Sequence, residues 1–69
     1  MSCIMMCRFT FEDKQYEVTD EAYAQFGHIR LPDGRVLEVG GWFECMPPKP
    51  GIVGVTTDTS RPIFDAVAV

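Results

Sequence analysis

The chain has 69 residues, 46% of them hydrophobic and 23% charged, and its ten acids and six bases give a formal net charge of −4. This length and composition predict one small globular domain, residues 1–69, rather than a disordered chain. The six basic residues are scattered singly along the chain. Proteins that bind nucleic acid usually have clusters of Lys and Arg, so the sequence argues against direct binding of nucleic acid.

The apolar runs are all much shorter than the roughly 20 residues of a membrane span. We therefore expect no membrane partner. Three cysteines leave one thiol unpaired even after full oxidation, which fits a reducing compartment better than a secreted disulfide framework. The sequence therefore predicts a cytoplasmic protein.

The first element is a predicted strand over residues 3–11, because apolar side chains occupy every odd position from Cys3 to Phe11. Residues four apart in a strand are separated by about 13 Å. Cys3 and Cys7 therefore cannot share a disulfide or a metal ion.

A second strand follows in the segment QYEV. A two-residue turn at Asp13-Lys14 pairs Phe11 with Tyr16, and this register puts the apolar side chains of both strands on one face. The sequence predicts a hairpin here, although Asp-Lys lacks the glycine that tight hairpin turns prefer.

One short helix is predicted near residues 19–26. Thr19 is a suitable N-cap, and the next two residues are acidic, which favours a helix N-terminus. Gly27 follows at the position where a left-handed residue commonly ends a helix. With about two turns, the helix must be held by packing Tyr23 and Phe26 on the sheet.

The segment HIRLPDGRVLEV is the strongest hairpin signal in the chain, since Pro32, Asp33 and Gly34 suit a turn followed by a left-handed position. The resulting register pairs Ile29 with Leu37. It also makes His28 an exposed cross-strand partner of Glu38.

Continuing this strand past the glycine pair at residues 40–41 points Phe43 and Cys45 inward and Trp42 and Glu44 outward. A bulge at the glycines would reverse that phase. Residues 46–51 are predicted to form a loop, because they contain three prolines. The segment IVGVTT is a further predicted strand, and IFDAVAV is the last one, with a short helix from Pro62 as the alternative.

These elements predict a mainly β fold, α+β at the margin. We expect a small curled antiparallel sheet, or a partly open SH3-like or OB-like barrel, of five to six strands with one helix.

Enzymatic chemistry has little support, because the chain has one histidine and neither a nucleophile-elbow nor a phosphate-loop pattern. We therefore predict a non-catalytic protein without a cofactor. Free cysteines usually act as small buried hydrophobes, so no metal site is predicted.

The residues that best support an interaction surface are an outward Trp and its Met- and Pro-rich neighbours, since such side chains are enriched at interfaces. The alternative for Trp42 is packing onto the prolines of its own chain. The predicted binding residues are Trp42, Phe43, Met46, Pro47 and Pro48.

The leading functional hypothesis is a small intracellular protein–protein interaction module or accessory subunit. One alternative is a metal-binding or redox protein that uses Cys3, Cys7 and Cys45, and another is an acidic mimic or inhibitor of nucleic acid. The uncharged AVAV segment also predicts an exposed sheet edge through which the chain forms a homodimer or receives a partner's strand.

Overall fold

The structure, a computed structural model, describes residues 5–69. It contains seven strands and one helix in the order β1 (Met6–Phe11), β2 (Lys14–Thr19), α1 (Asp20–Gln25), β3 (His28–Arg30), β4 (Val36–Phe43), β5 (Lys49–Thr56), β6 (Ile63–Asp65) and β7 (Val67–Ala68). They form a three-stranded sheet, β1-β2-β7, and a four-stranded sheet, β5-β4-β3-β6.

The predicted fold class is confirmed: the chain is mainly β, with one short helix and curled sheets that do not close into a barrel. Two details differ. Residues 5–69 form seven strands rather than five or six, and β3 pairs with β6 in parallel, so the second sheet is mixed.

The β1–β2 hairpin forms, but in a register two residues away from the predicted one. Phe9 pairs with Tyr16, and the turn lies at Glu12-Asp13, where both residues have positive φ, 52° and 66°. A shift of two residues keeps each side chain on its face. The predicted apolar face is therefore buried, although the first two residues of the predicted strand, 3 and 4, lie outside the described residues.

Helix α1 is confirmed, but its end differs from the prediction. Phe26, not Gly27, takes the left-handed conformation, with φ of 51°, and its ring is exposed rather than packed on the sheet. Gly27 is instead needed for space, because a Cβ there would lie 2.5 Å from the ring of Phe64.

The β3–β4 hairpin has the predicted register, with Ile29 opposite Leu37 and Gly34 in the left-handed region at φ 99°. The prediction for His28 is wrong. Its side chain is only 2% exposed, and its Nε2 lies 3.2 Å from Oδ2 of Asp58 instead of beside Glu38 on the surface.

Two bulges, one in each strand, lie on either side of the Val39–Ile52 pair in the β4–β5 ladder and change which side chains face the core. Gly40 and Val53 have no direct cross-strand partner. Beyond Gly40 the alternation is reversed, so Trp42 packs on the core while Phe43 is 65% exposed. The predicted phase is therefore wrong, and Cys45, predicted inward, is also exposed because the strand ends before it.

The predicted loop is shorter than expected, because β5 begins at Lys49 and includes Pro50. The predicted last strand is divided at Ala66, with β6 beside β3 in one sheet and β7 beside β2 in the other. One short segment thus joins both sheets.

The core between the sheets and under the helix consists of side chains from both hairpins, from α1 and from the link between β6 and β7: Cys7, Phe9, Tyr16, Val18, Ala22, Ile29, Leu31, Leu37 and Ala66. The rings of Phe9 and Tyr16 stack with their centroids 5.6 Å apart. Across residues 5–69, the only helix has six residues and is much too short to cross a membrane.

Candidate functional site

A groove of about 420 Å³ opens between α1 and the loop that joins β4 to β5. We call it the acidic groove. Its lining residues are Met5, Asp20, Glu21, Tyr23, Ala24, Glu44, Cys45, Met46 and Pro48. Most of this surface is apolar, and three of the lining residues, Asp20, Glu21 and Glu44, carry carboxylates.

Local sequence explains how the helix contributes to this groove. Asp20 and Glu21 occupy the first turn of α1, where negative charge interacts favourably with the helix dipole. Tyr23 follows within one turn and contacts Trp42 of β4, edge to face, with ring centroids 5.4 Å apart. The bulge at Gly40 therefore directs Trp42 towards the core, where it supports the groove wall from behind.

The loop residues form the other wall. Strand β4 ends at Phe43, and the loop residues Glu44, Cys45 and Met46 lie beside the helix. Pro48, the last residue before β5, is buried. Met46 is 84% exposed. An apolar side chain is thus held in solvent at the edge of the groove.

The charge of the groove is not neutralised by the described part of the chain. Four of the ten carboxylates form ion pairs with arginine, namely Glu12, Glu17, Asp33 and Asp65, and a fifth, Asp58, is hydrogen-bonded to His28. Three of the other five, Asp20, Glu21 and Glu44, line this groove, and its lining contains no Lys, Arg or His. Unpaired negative charge is therefore concentrated here.

The predicted binding residues are divided between two faces. Met46 and Pro48 line the acidic groove, Trp42 lies behind it, and Pro47 is exposed in the loop. Phe43 points to the opposite face of β4 from Trp42. There it lines a second groove, of about 520 Å³, between the edges of β1 and β5.

The cysteines are not gathered into one site in the described part of the chain. Cys7 is fully buried, and burial, followed by the charge of Asp20, raises the pKa of its thiol. Cys45 is exposed in the acidic groove, and Cys3 lies outside the described residues. Within residues 5–69, no three His, Cys, Asp or Glu side chains are placed to hold a metal ion.

His28 has a structural environment. Because a carboxylate only accepts hydrogen bonds, the contact with Asp58 places the proton of His28 on Nε2. Its buried Nδ1 has no partner among the described residues. The pKa of Asp58 is lowered to about 2, mainly by hydrogen bonds from Ser60 and then by His28.

Sequence reasoning missed the carboxylates and Tyr23 as site residues. In the sequence, Asp20 and Glu21 are acidic residues that favour a helix N-terminus, and Glu44 is an outward residue of a predicted strand. The helix and the loop are far apart in sequence, so only their packing brings these side chains together.

No protein-family model matches this chain, and comparisons with curated proteins and with solved structures find no match either.

Proposed function

We propose that this chain is a non-catalytic protein-interaction module and that the acidic groove, with the β4–β5 loop beside it, is its partner-facing surface. The observation that carries the proposal is Met46, which is 84% exposed at the edge of an apolar groove. Methionine adapts its shape to a partner and is enriched at interfaces.

The support behind this surface favours the same function. Trp42 and Tyr23 pack against each other, and Pro48 is buried, so the groove walls are held by aromatic and proline contacts. A preformed surface of this kind loses little conformational freedom when a partner binds.

The test is quantitative affinity capture from cells of the native host, using the parent protein, Met46→Asp, and Val55→Asp as a matched control. Val55 is also an exposed apolar residue, but it lies on β5, outside the acidic groove and in the other sheet from β7. We expect a protein that the parent and Val55→Asp retain and Met46→Asp loses, with circular dichroism unchanged. If the parent and both variants capture the same proteins, the proposal is contradicted.

The two alternative functions receive less support. A redox or metal function has one buried and one exposed thiol in the described chain, without a cluster that could hold a metal. A nucleic-acid mimic needs free carboxylates spread over one face, whereas four of the ten carboxylates here are in ion pairs with arginine.

The proposal also includes a cytoplasmic location, based on the odd number of cysteines, and a second contact at β7. Val67 is exposed on this edge strand, which leaves room for a strand of another copy or of a partner. Light scattering at high protein concentration tests the homodimer, and a strict monomer would remove it.

A further inference from the structure

We propose that the acidic groove binds a basic segment of a partner protein, in which Lys or Arg residues flank a short apolar anchor. This inference rests on the proposed function and specifies the chemistry of the partner. It combines two properties of the same groove, its apolar lining and its unpaired negative charge.

The first property selects an apolar anchor. Tyr23, Ala24, Met46 and Pro48 present carbon surface to a cavity of about 420 Å³, which is within the usual size range of binding pockets. An aliphatic or aromatic side chain that enters this cavity removes apolar surface from water on both partners.

The second property selects positive charge beside that anchor. Asp20 and Glu21 lie on the helix side, and Glu44 lies on the loop side, so carboxylates flank the apolar surface from two directions. A cation on either side of the anchor therefore meets a carboxylate. Complementary charges of this kind guide association and exclude partners of the wrong sign.

The Lys and Arg side chains of the described residues either form ion pairs or hydrogen bonds with other groups, or lie outside the acidic groove. Three of the six, Arg8, Arg30 and Arg35, are in ion pairs. Lys14 and Lys49 line other grooves, and Arg61 donates to the carbonyl oxygen of Phe26. Within residues 5–69, no Lys or Arg therefore neutralises this groove.

Other ligands fit less well. Phosphate-bearing ligands such as nucleic acids and anionic lipid surfaces are repelled by the three carboxylates. Within the described residues these carboxylates do not form a cluster that could hold a metal ion. A basic protein segment satisfies both the charge and the apolar lining.

The experiment selects random short peptides, displayed on phage, against the whole immobilised protein. The enriched peptide is then synthesised, and its affinity is measured by isothermal titration for the parent, Glu21→Lys and Asp13→Lys. The control Asp13→Lys changes the net charge by the same amount, but it lies in the β1–β2 turn, outside the groove. Met46→Asp is measured as well.

We expect enriched peptides with Lys or Arg around an apolar residue. Their binding to Glu21→Lys should be about five- to tenfold weaker, because an exposed attraction is replaced by a repulsion. Asp13→Lys should bind like the parent, and added salt should weaken binding to the parent.

The outcomes separate the two proposals. If the selected peptides are neutral or acidic, or if Glu21→Lys and Asp13→Lys bind equally well, the basic-segment inference is overturned. The interaction surface still stands in that case, provided that Met46→Asp abolishes binding. Selection of no peptide that depends on Met46 would overturn both.

Discussion

Replacing Gly27 by alanine probes the close contact between the turn that joins α1 to β3 and the start of β6. An alanine Cβ at this position would lie 2.5 Å and 2.7 Å from two carbons of the Phe64 ring and 2.7 Å from the carbonyl oxygen of Pro62. The ring can rotate away. The carbonyl cannot move easily, because it accepts a 2.7 Å hydrogen bond from the backbone N–H of His28.

The expected cost follows from this geometry. Overpacking a well-filled interior costs about 1–3 kcal/mol, and the fixed carbonyl places Gly27→Ala in the upper half of that range. For a domain of this size, 1 kcal/mol corresponds to about 4–8 °C in Tm. We therefore expect Tm to fall by about 8–24 °C.

Thermal unfolding followed by circular dichroism measures this change, with Gly41→Ala as the control. An alanine Cβ at residue 41 meets nothing within 4 Å, so its Tm should equal or slightly exceed that of the parent. If Gly27→Ala unfolds within about 3 °C of the parent, the close approach is not a real constraint and the reasoning is refuted.

Three further variants test other parts of the molecule. Leu37→Ala removes a fully buried side chain and should lower the free energy of unfolding in urea by about 2–5 kcal/mol. Val55→Ala, at the exposed residue paired with Leu37 on the edge strand, should lower it by less than about 1 kcal/mol. Similar losses of stability in the two variants would contradict the assignment of Leu37 to the core. Because the pKa of Asp58 is lowered from 3.8 to about 2, its carboxylate stabilises the fold above 3.8, and that contribution is lost as pH falls towards 2. The free energy of unfolding should therefore decline more steeply on acidification in the parent than in Asp58→Asn, and parallel curves would rule this out. In a Cys3→Ser background, a thiol reagent should modify exposed Cys45 quickly and buried Cys7, whose thiol pKa is raised by burial, only after unfolding; two fast thiols would show that β1 is not packed as described.

Local signals in the sequence predicted the local structure well. The β3–β4 hairpin has the predicted register because Pro32, Asp33 and Gly34 determine the turn within three residues. The β1–β2 turn was misplaced because Glu12 and Asp13 adopt positive φ without any glycine to indicate it. The buried face was still predicted, since the error was an even number of residues.

Features that depend on distant partners were not predictable from the sequence in this way. The burial of His28 depends on Asp58, 30 residues away. The outward position of Phe43 depends on a bulge in each of two strands, one at Gly40 and one at Val53. For the candidate site, the Met- and Pro-rich segment predicts Met46 and Pro48 as binding residues, whereas the carboxylates of α1 line the same groove only through packing.

The segment of residues 63–68 has a consequence for folding kinetics. Hairpins β1–β2 and β3–β4 close short loops, whereas β6 and β7 dock on strands far back in the chain. Their docking closes two long loops together, and this loss of chain entropy precedes the contacts that offset it. Neither sheet is complete until residues 63–68 dock. We therefore expect docking of this segment to determine the refolding rate, and both sheets to form in a single kinetic step.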